Sequence, residues 1–170
     1  MPTHIALLRA VNVGGTGKLP MAELRAMAGR IGLGDPRTYI ASGNLVFTSD
    51  RSEADIRRAL EAELEAYAGK PVSVLLRTPE AMQAVLDDNP FADAPGNRCV
   101  AIFLDSPPPD DLMDSLKNRK DEQVAPGRRE IYVHYGEGMA GSKLVIPAAR
   151  SGTARNLNTI AKLVAMARGA

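Results

Sequence analysis

The chain has no tryptophan, one cysteine and two histidines among its 170 residues. A single cysteine excludes an intramolecular disulfide and a thiolate metal cage. Cys99 stands in the apolar run CVAIFL, where a free cysteine is more often a small core residue than a reactive thiol. His4 and His134 lie far apart, without an i, i+4 partner or an adjacent carboxylate motif. A histidine metal site and a Ser-His-Asp triad are therefore unsupported. Charge of one sign is also missing: 21 basic residues face 20 acidic ones, a net of +1. Bulk electrostatics then drive the chain toward neither nucleic acid nor an acidic membrane. No apolar run approaches the ~18 residues of a membrane span. No basic region followed by a long apolar stretch opens the chain, so no secretory signal is expected. The expected setting is a reducing cytoplasm, with no metal, no cofactor and no membrane partner.

What is present is ordinary for a globule: 45% hydrophobic and 24% charged residues. Ile5 to Ala10 reads as a strand. Gly14, Gly15 and Gly17 break it, and Pro20 suits a first helical position. Met21, Leu24, Ala28 and Ile31 share a helical face. Arg37 to Thr48 reads as a hairpin around Ser42-Gly43-Asn44. Ser52 with Asp55 is a capping signature, followed by Ile56, Leu60, Leu64 and Tyr67 at helical spacing. Val72 to Leu76 is a further strand. The order βαββαβ rules against a doubly wound parallel sheet and fits a ferredoxin-like unit.

A looser echo follows. Thr78-Pro79-Glu80 opens a helix with Met82, Val85 and Leu86. Arg98 to Leu104 is strand-like. Prolines 107 to 109 introduce an expected short helix with Leu112, Met113 and Leu116, carrying Asp110, Asp111 and Asp114. Glu122 to Ala125 is an edge-strand candidate, and Glu130 to Tyr135 alternates. Leu144 to Ile146 is a short strand candidate. A last helix starts near Asn156, with Leu157, Ile160, Ala161 and Val164 on one side. The expected architecture is α/β (α+β): two ferredoxin-like subdomains, 1–92 and 93–170, with largely antiparallel sheets and helices on one face.

Three polar stretches carry the candidate chemistry: LLRAVNVGGTGKLPM at Leu7 to Met21, YIASGNL at Tyr39 to Leu45, and TARNLNT at Thr153 to Thr159. The first invites a P-loop reading that its spacing refuses. Asn12 stands where the first Walker glycine belongs, and Leu19 replaces the magnesium-binding hydroxyl. A glycine turn with Lys18 can still form an anion-binding nest, or be a tight turn with a solvated lysine. Ser42 and Asn44 are hairpin chemistry or ligand hydrogen-bond partners. Arg155 beside Asn156 and Thr159 at a helix start is a further anion-site candidate.

These three stretches, together with Asn89-Pro90-Phe91, resemble the domain-of-unknown-function 1697 family over essentially the whole chain. The resemblance implies a bacterial, cytosolic α/β protein similar to a pair of ferredoxin-like subdomains, and brings no established activity. The family usually has glycine where Ala10 stands and tryptophan where Leu157 stands. With Ala10, the backbone there need not adopt positive φ. Leu157 removes a stacking platform and lessens the case for a nucleotide-like ligand.

The leading expectation is a small-molecule binder, with or without catalysis, whose cleft lies between the subdomains. Arg9, Lys18 and Arg155 would neutralise a phosphate or carboxylate. Asn12, Gly14, Gly15, Ser42, Asn44, Asn156 and Thr159 would line or orient the ligand. No catalytic residue is assigned. One rival is a regulatory or assembly module whose motifs are structural. Another is an RNA-binding sheet, disfavoured by three Phe, four Tyr, no Trp and no RNP1 pattern. Self-association is left open.

Overall fold

The structure, a computed structural model, describes residues 1–11, 18–136 and 141–169. It forms two compact units, Met1–Ala81 with Leu163–Ala170, and Met82–Lys162. The first runs β1 (Thr3–Leu8), α1 (Met21–Arg30), β2 (Gly34–Thr38), β3 (Asn44–Thr48), α2 (Glu53–Ala68) and β4 (Val74–Arg77), with α3 (Pro79–Asp87) following. The second runs β5 (Cys99–Phe103), β6 (Gln123–Pro126), β7 (Glu130–His134), a 3-10 turn (Pro147–Ala149) and β8 (Thr153–Asn156), and α4 (Leu157–Ala167) follows.

Each unit carries one antiparallel four-stranded sheet, ordered β2-β3-β1-β4 in the first and β6-β7-β5-β8 in the second. Both orders are the same when strands are counted within each unit. This is the expected α+β, ferredoxin-like arrangement.

In the first unit, β1 pairs with β3 so that Ala6 faces Leu45 and His4 faces Phe47. That register places Ala6, Leu8, Leu45, Phe47, Val74 and Leu76 on one face of the sheet, in one apolar cluster with residues of both helices. α1 contributes Leu24, Met27 and Ala28, and α2 contributes Ile56, Leu60 and Leu64, all buried. Ile5, Leu7, Val46 and Leu75, which alternate to the other face, are buried too. Burial on both faces is why β1 reads as a continuous apolar run rather than an alternation. His4 is a core residue, stacked on Phe47 at 5.5 Å. The expected Ser52 cap forms, with Asp55 N donating to its hydroxyl at 3.2 Å. Pro20 is the extended cap residue of α1 rather than its first helical one. Pro36 is tolerated in β2 because that strand is an edge with a register shift between Gly34 and Arg37.

The second unit keeps the strand order but covers its sheet differently. The helix expected after the three prolines is absent: residues 110–115 form turns only. Three prolines followed by Asp, Ser and Asn offer too few good helix formers to meet the cost of nucleation. Leu112 is nevertheless buried, and it joins Val100, Ile102, Val124, Ile131 and Val133 in an apolar cluster. The expected strand at Leu144–Ile146 is a single bridge, Val145 to Lys117. Glu122 ties the two crossovers together. Its carboxylate accepts from Lys120 N at 2.6 Å and from Ser142 Oγ at 2.6 Å. Those bonds, the Ser142 hydroxyl foremost, hold its pKa below the usual carboxylate value. Cys99 is buried, and burial pushes its thiol pKa up, as a small core residue requires. Buried Tyr132 donates its hydroxyl to Val85 O at 2.7 Å, pinning β7 to α3.

Candidate functional site

At one end of the first sheet the first two motifs meet. Leu8 N donates to Gly43 O at 2.9 Å, and Arg9 N donates to Ser73 O at 2.9 Å. Gly43 sits at φ +90°, and a Cβ there would lie 2.7 Å from Val11 Cγ2 and 2.8 Å from Leu8 Cβ. Only glycine allows the β2–β3 loop to close on the exit of β1 in this way. Among the described residues, two non-glycine residues at that sheet end have positive φ: Ala10 at 56° and Ile40 at 49°. The expectation for Ala10 is thereby overturned. The chain turns left-handed at once after β1, although an L-residue there costs about 1–2 kcal/mol. Ile40 is β-branched and half exposed, an outlier of the kind that clusters where loops are shaped for a task.

Beside this turn lies a pocket of about 190 Å³, lined in part by Ala10, Val11, Lys18, Leu19, Tyr67 and Lys70. Its floor is core. Val11, Leu19, Leu64 and Val72 belong to the apolar cluster under α1 and α2. Two exposed lysines reach it from different elements: Lys18 just before α1, and Lys70 just after α2. The latter is aimed by Gly69, which ends α2 at φ +73° with its N–H on Glu65 O at 2.8 Å. Tyr67, expected in the core, is instead 47% exposed and stands in the pocket wall. It lies in the last turn of α2, one step beyond the buried Leu64.

The other expected site residues divide. Asn12, Gly14 and Gly15 lie outside the described residues. Arg9 leaves β1 half-buried. Asn44 is fully buried, and its amide donates to Tyr39 O at 2.8 Å and to Ser42 Oγ at 3.0 Å, so it shapes the loop from inside. Arg155 is in β8, paired with Ala101, and not at the helix start itself. It is 6% exposed, and its guanidinium donates to Thr153 Oγ1 at 2.7 Å and Ala154 O at 2.9 Å. Desolvation lowers its pKa to about 10. Asn156 caps α4, its Oδ1 accepting from Thr159 N at 2.8 Å.

Tyr67 and Lys70 were not singled out from the sequence as ligand contacts. The available signal was a lysine between the helix-ending Gly69 and Pro71, six residues past the last core leucine. Among the described residues, no cluster of three or more His, Cys, Asp or Glu is placed to hold a metal ion. No helix among them is long and apolar enough to cross a membrane.

No curated protein matches the chain. Among solved structures, the chain is similar to the conserved bacterial protein SP0830 from Streptococcus pneumoniae. Identity is 27%, the TM-score is 0.76, and the match covers 98% of both chains. The model of a family described as protein of unknown function (DUF1697) matches residues 1–132. With that match over most of its length, the chain belongs to the DUF1697 family.

Proposed function

We propose that this protein binds a small molecule bearing a phosphate or carboxylate, and that the first unit holds it where β1 gives way to the glycine-rich stretch. The observation that carries the reading is the pocket beside Ala10, which Lys18 and Lys70 both line. Two lysines from separate elements raise the local positive potential although the chain as a whole is almost neutral. Positive charge held at a pocket rim favours resident and developing negative charge alike, so binding and electrostatic catalysis would draw on the same groups. Arg9, at the exit of β1, adds to that charge, and Ser42 supplies a hydroxyl on the adjoining loop.

A second reading is favoured by a different observation. The polar atoms of Asn44, Arg155 and Asn156 are engaged within their own loop, strand or helix start. On this reading those residues are braces, and the protein is a regulatory or assembly module.

The deciding experiment is thermal unfolding in phosphate and in sulfate against chloride at equal ionic strength. Preferential binding to the folded state contributes about 2.7 kcal/mol at a ligand concentration 100 times Kd. Binding should raise Tm, and Lys18→Ala should remove most of the rise. Equal Tm shifts in wild type and Lys18→Ala would leave the brace reading standing, because phosphate and sulfate also raise Tm by exclusion from any protein surface.

A further inference from the structure

The geometry points to an amphiphilic ligand: one ring-sized apolar group carrying a single phosphate or carboxylate. Its apolar body rests on the pocket floor, and its acid is met by Lys18 and Lys70. This inference rests on the anion-binding reading and adds to it the class of molecule bound.

The floor is the first reason. Val11, Leu19, Leu64 and Val72 are each no more than 9% exposed and belong to the first unit's core. Their side chains offer no hydrogen-bond donor. A bare inorganic anion pressed against them would lose hydration without compensation. An apolar group gains there because its own surface leaves water against side chains that are already nearly covered.

Tyr67 is the second reason. It follows Leu64 by three residues on α2, so the two side chains are neighbours on the helix surface. The tyrosine is 47% exposed and lines the same pocket. Its ring gives the wall a flat apolar face suited to an offset-stacked or edge-on aromatic partner.

Size is the third. The pocket is about 190 Å³. A cavity of roughly 150 Å³ accepts benzene, whereas pockets for drug-sized ligands start near 300 Å³. One ring or a short branched chain fills it.

The charge pattern limits the acid. Lys18 and Lys70 are compact charges on flexible stems, so they accept either a carboxylate or a phosphate without demanding bidentate geometry. A helix end opposes them. The C-terminus of α2 is the negative end of a helix dipole and disfavours an anion beside it. Lys70, directly after the Gly69 cap, is placed to offset that end, so its removal should weaken binding at least as much as removal of Lys18.

The test measures calorimetric affinity for four probes on the full chain: phenyl phosphate, benzoate, inorganic phosphate and benzyl alcohol. Phenyl phosphate or benzoate should bind about tenfold to a hundredfold more tightly than inorganic phosphate, the gain of burying one ring. Benzyl alcohol should bind more weakly than either aryl acid. Tyr67→Ala, at an exposed position, should leave folding intact and erase most of the aryl preference while retaining phosphate binding. Lys70→Ala should weaken every anionic probe. If inorganic phosphate binds as tightly as phenyl phosphate, the amphiphilic class is wrong and anion binding stands. If the aryl preference survives Tyr67→Ala undiminished, the ring does not sit in this pocket and the inference fails. If none of the three anions binds, both the inference and the function it rests on fail.

Discussion

In the first unit the connections from β1 to β2 and from β3 to β4 carry helices, α1 and α2. In the second unit the corresponding connections, residues 104–122 and 135–152, carry turns, one bridge and a three-residue 3-10 turn among their described residues. The strand order is nonetheless the same. Pairing geometry therefore sets these sheets, and cover can come from any segment that supplies apolar side chains at the right places. α1 and α2 do it with Leu24, Met27, Ile56 and Leu60; the loops do it with Leu112, Leu116, Leu144 and Ile146. The polar motifs differ in the same sense. At the end of the first sheet Lys18 and Lys70 are exposed around a pocket. In the second unit Arg155 is buried and bonded to its own strand.

The largest expected effect breaks the first unit at its tightest contact. Gly43→Ala places a Cβ 2.7 Å from Val11 in a left-handed backbone. Strain and overpacking together should cost about 3 kcal/mol, read as a lower urea midpoint. A loss below about 1 kcal/mol would show that the loop closes on β1 only loosely.

Arg155→Ala sharpens the contrast from the other side. Removing a buried guanidinium that donates to Thr153 and Ala154 should cost about 2 kcal/mol without any ligand present. An unliganded variant as stable as wild type would return Arg155 to the list of ligand contacts.

Glu122→Gln probes the loops that replace helices. The folded pKa of Glu122 is lowered, so its contribution is full above the ordinary carboxylate range and is lost as pH falls through the lowered value. Wild type should exceed the variant in Tm at neutral pH, and the gap should close in acid. A gap that does not change with pH would mean the carboxylate charge is not what joins Lys120 and Ser142.

The smallest effect is a gain. Ala10→Gly relieves the left-handed strain at φ 56° but adds freedom to the unfolded chain. The net should be a stabilisation of up to about 1 kcal/mol, visible as a small rise in Tm. A drop would place a needed contact on the Ala10 methyl.

The first unit was legible because its signals are local: the Ser52 cap, the glycine at each helix end, and apolar faces at helical spacing. In the second, three strands were legible, whereas β8 was read as the approach to a helix and Leu144 to Ile146 was expected to be the fourth strand. Leu112 and Leu116 have helical spacing, yet the prolines before them and the polar residues among them leave turns. Glu122 could not be recognised, since only folding brings Ser142 to it from 20 residues away. In the candidate site, Leu8 N reaches Gly43 O and Lys18 lines a pocket. Burial decided Asn44 and Arg155, and a polar residue in a motif reads the same whether it faces a ligand or its own backbone. Ala10 misled because alanine ordinarily avoids the backbone it adopts here.

The central claim is that the first unit's sheet end is where the ligand binds. The most direct measurement is amide chemical-shift mapping of the isotope-labelled full chain during titration with phenyl phosphate. Saturable shifts are expected at Ala10, Val11, Lys18, Leu19, Tyr67 and Lys70, with little change at Thr153 to Asn156. Shifts centred on Arg155 and the start of α4, with the pocket residues silent, would contradict it.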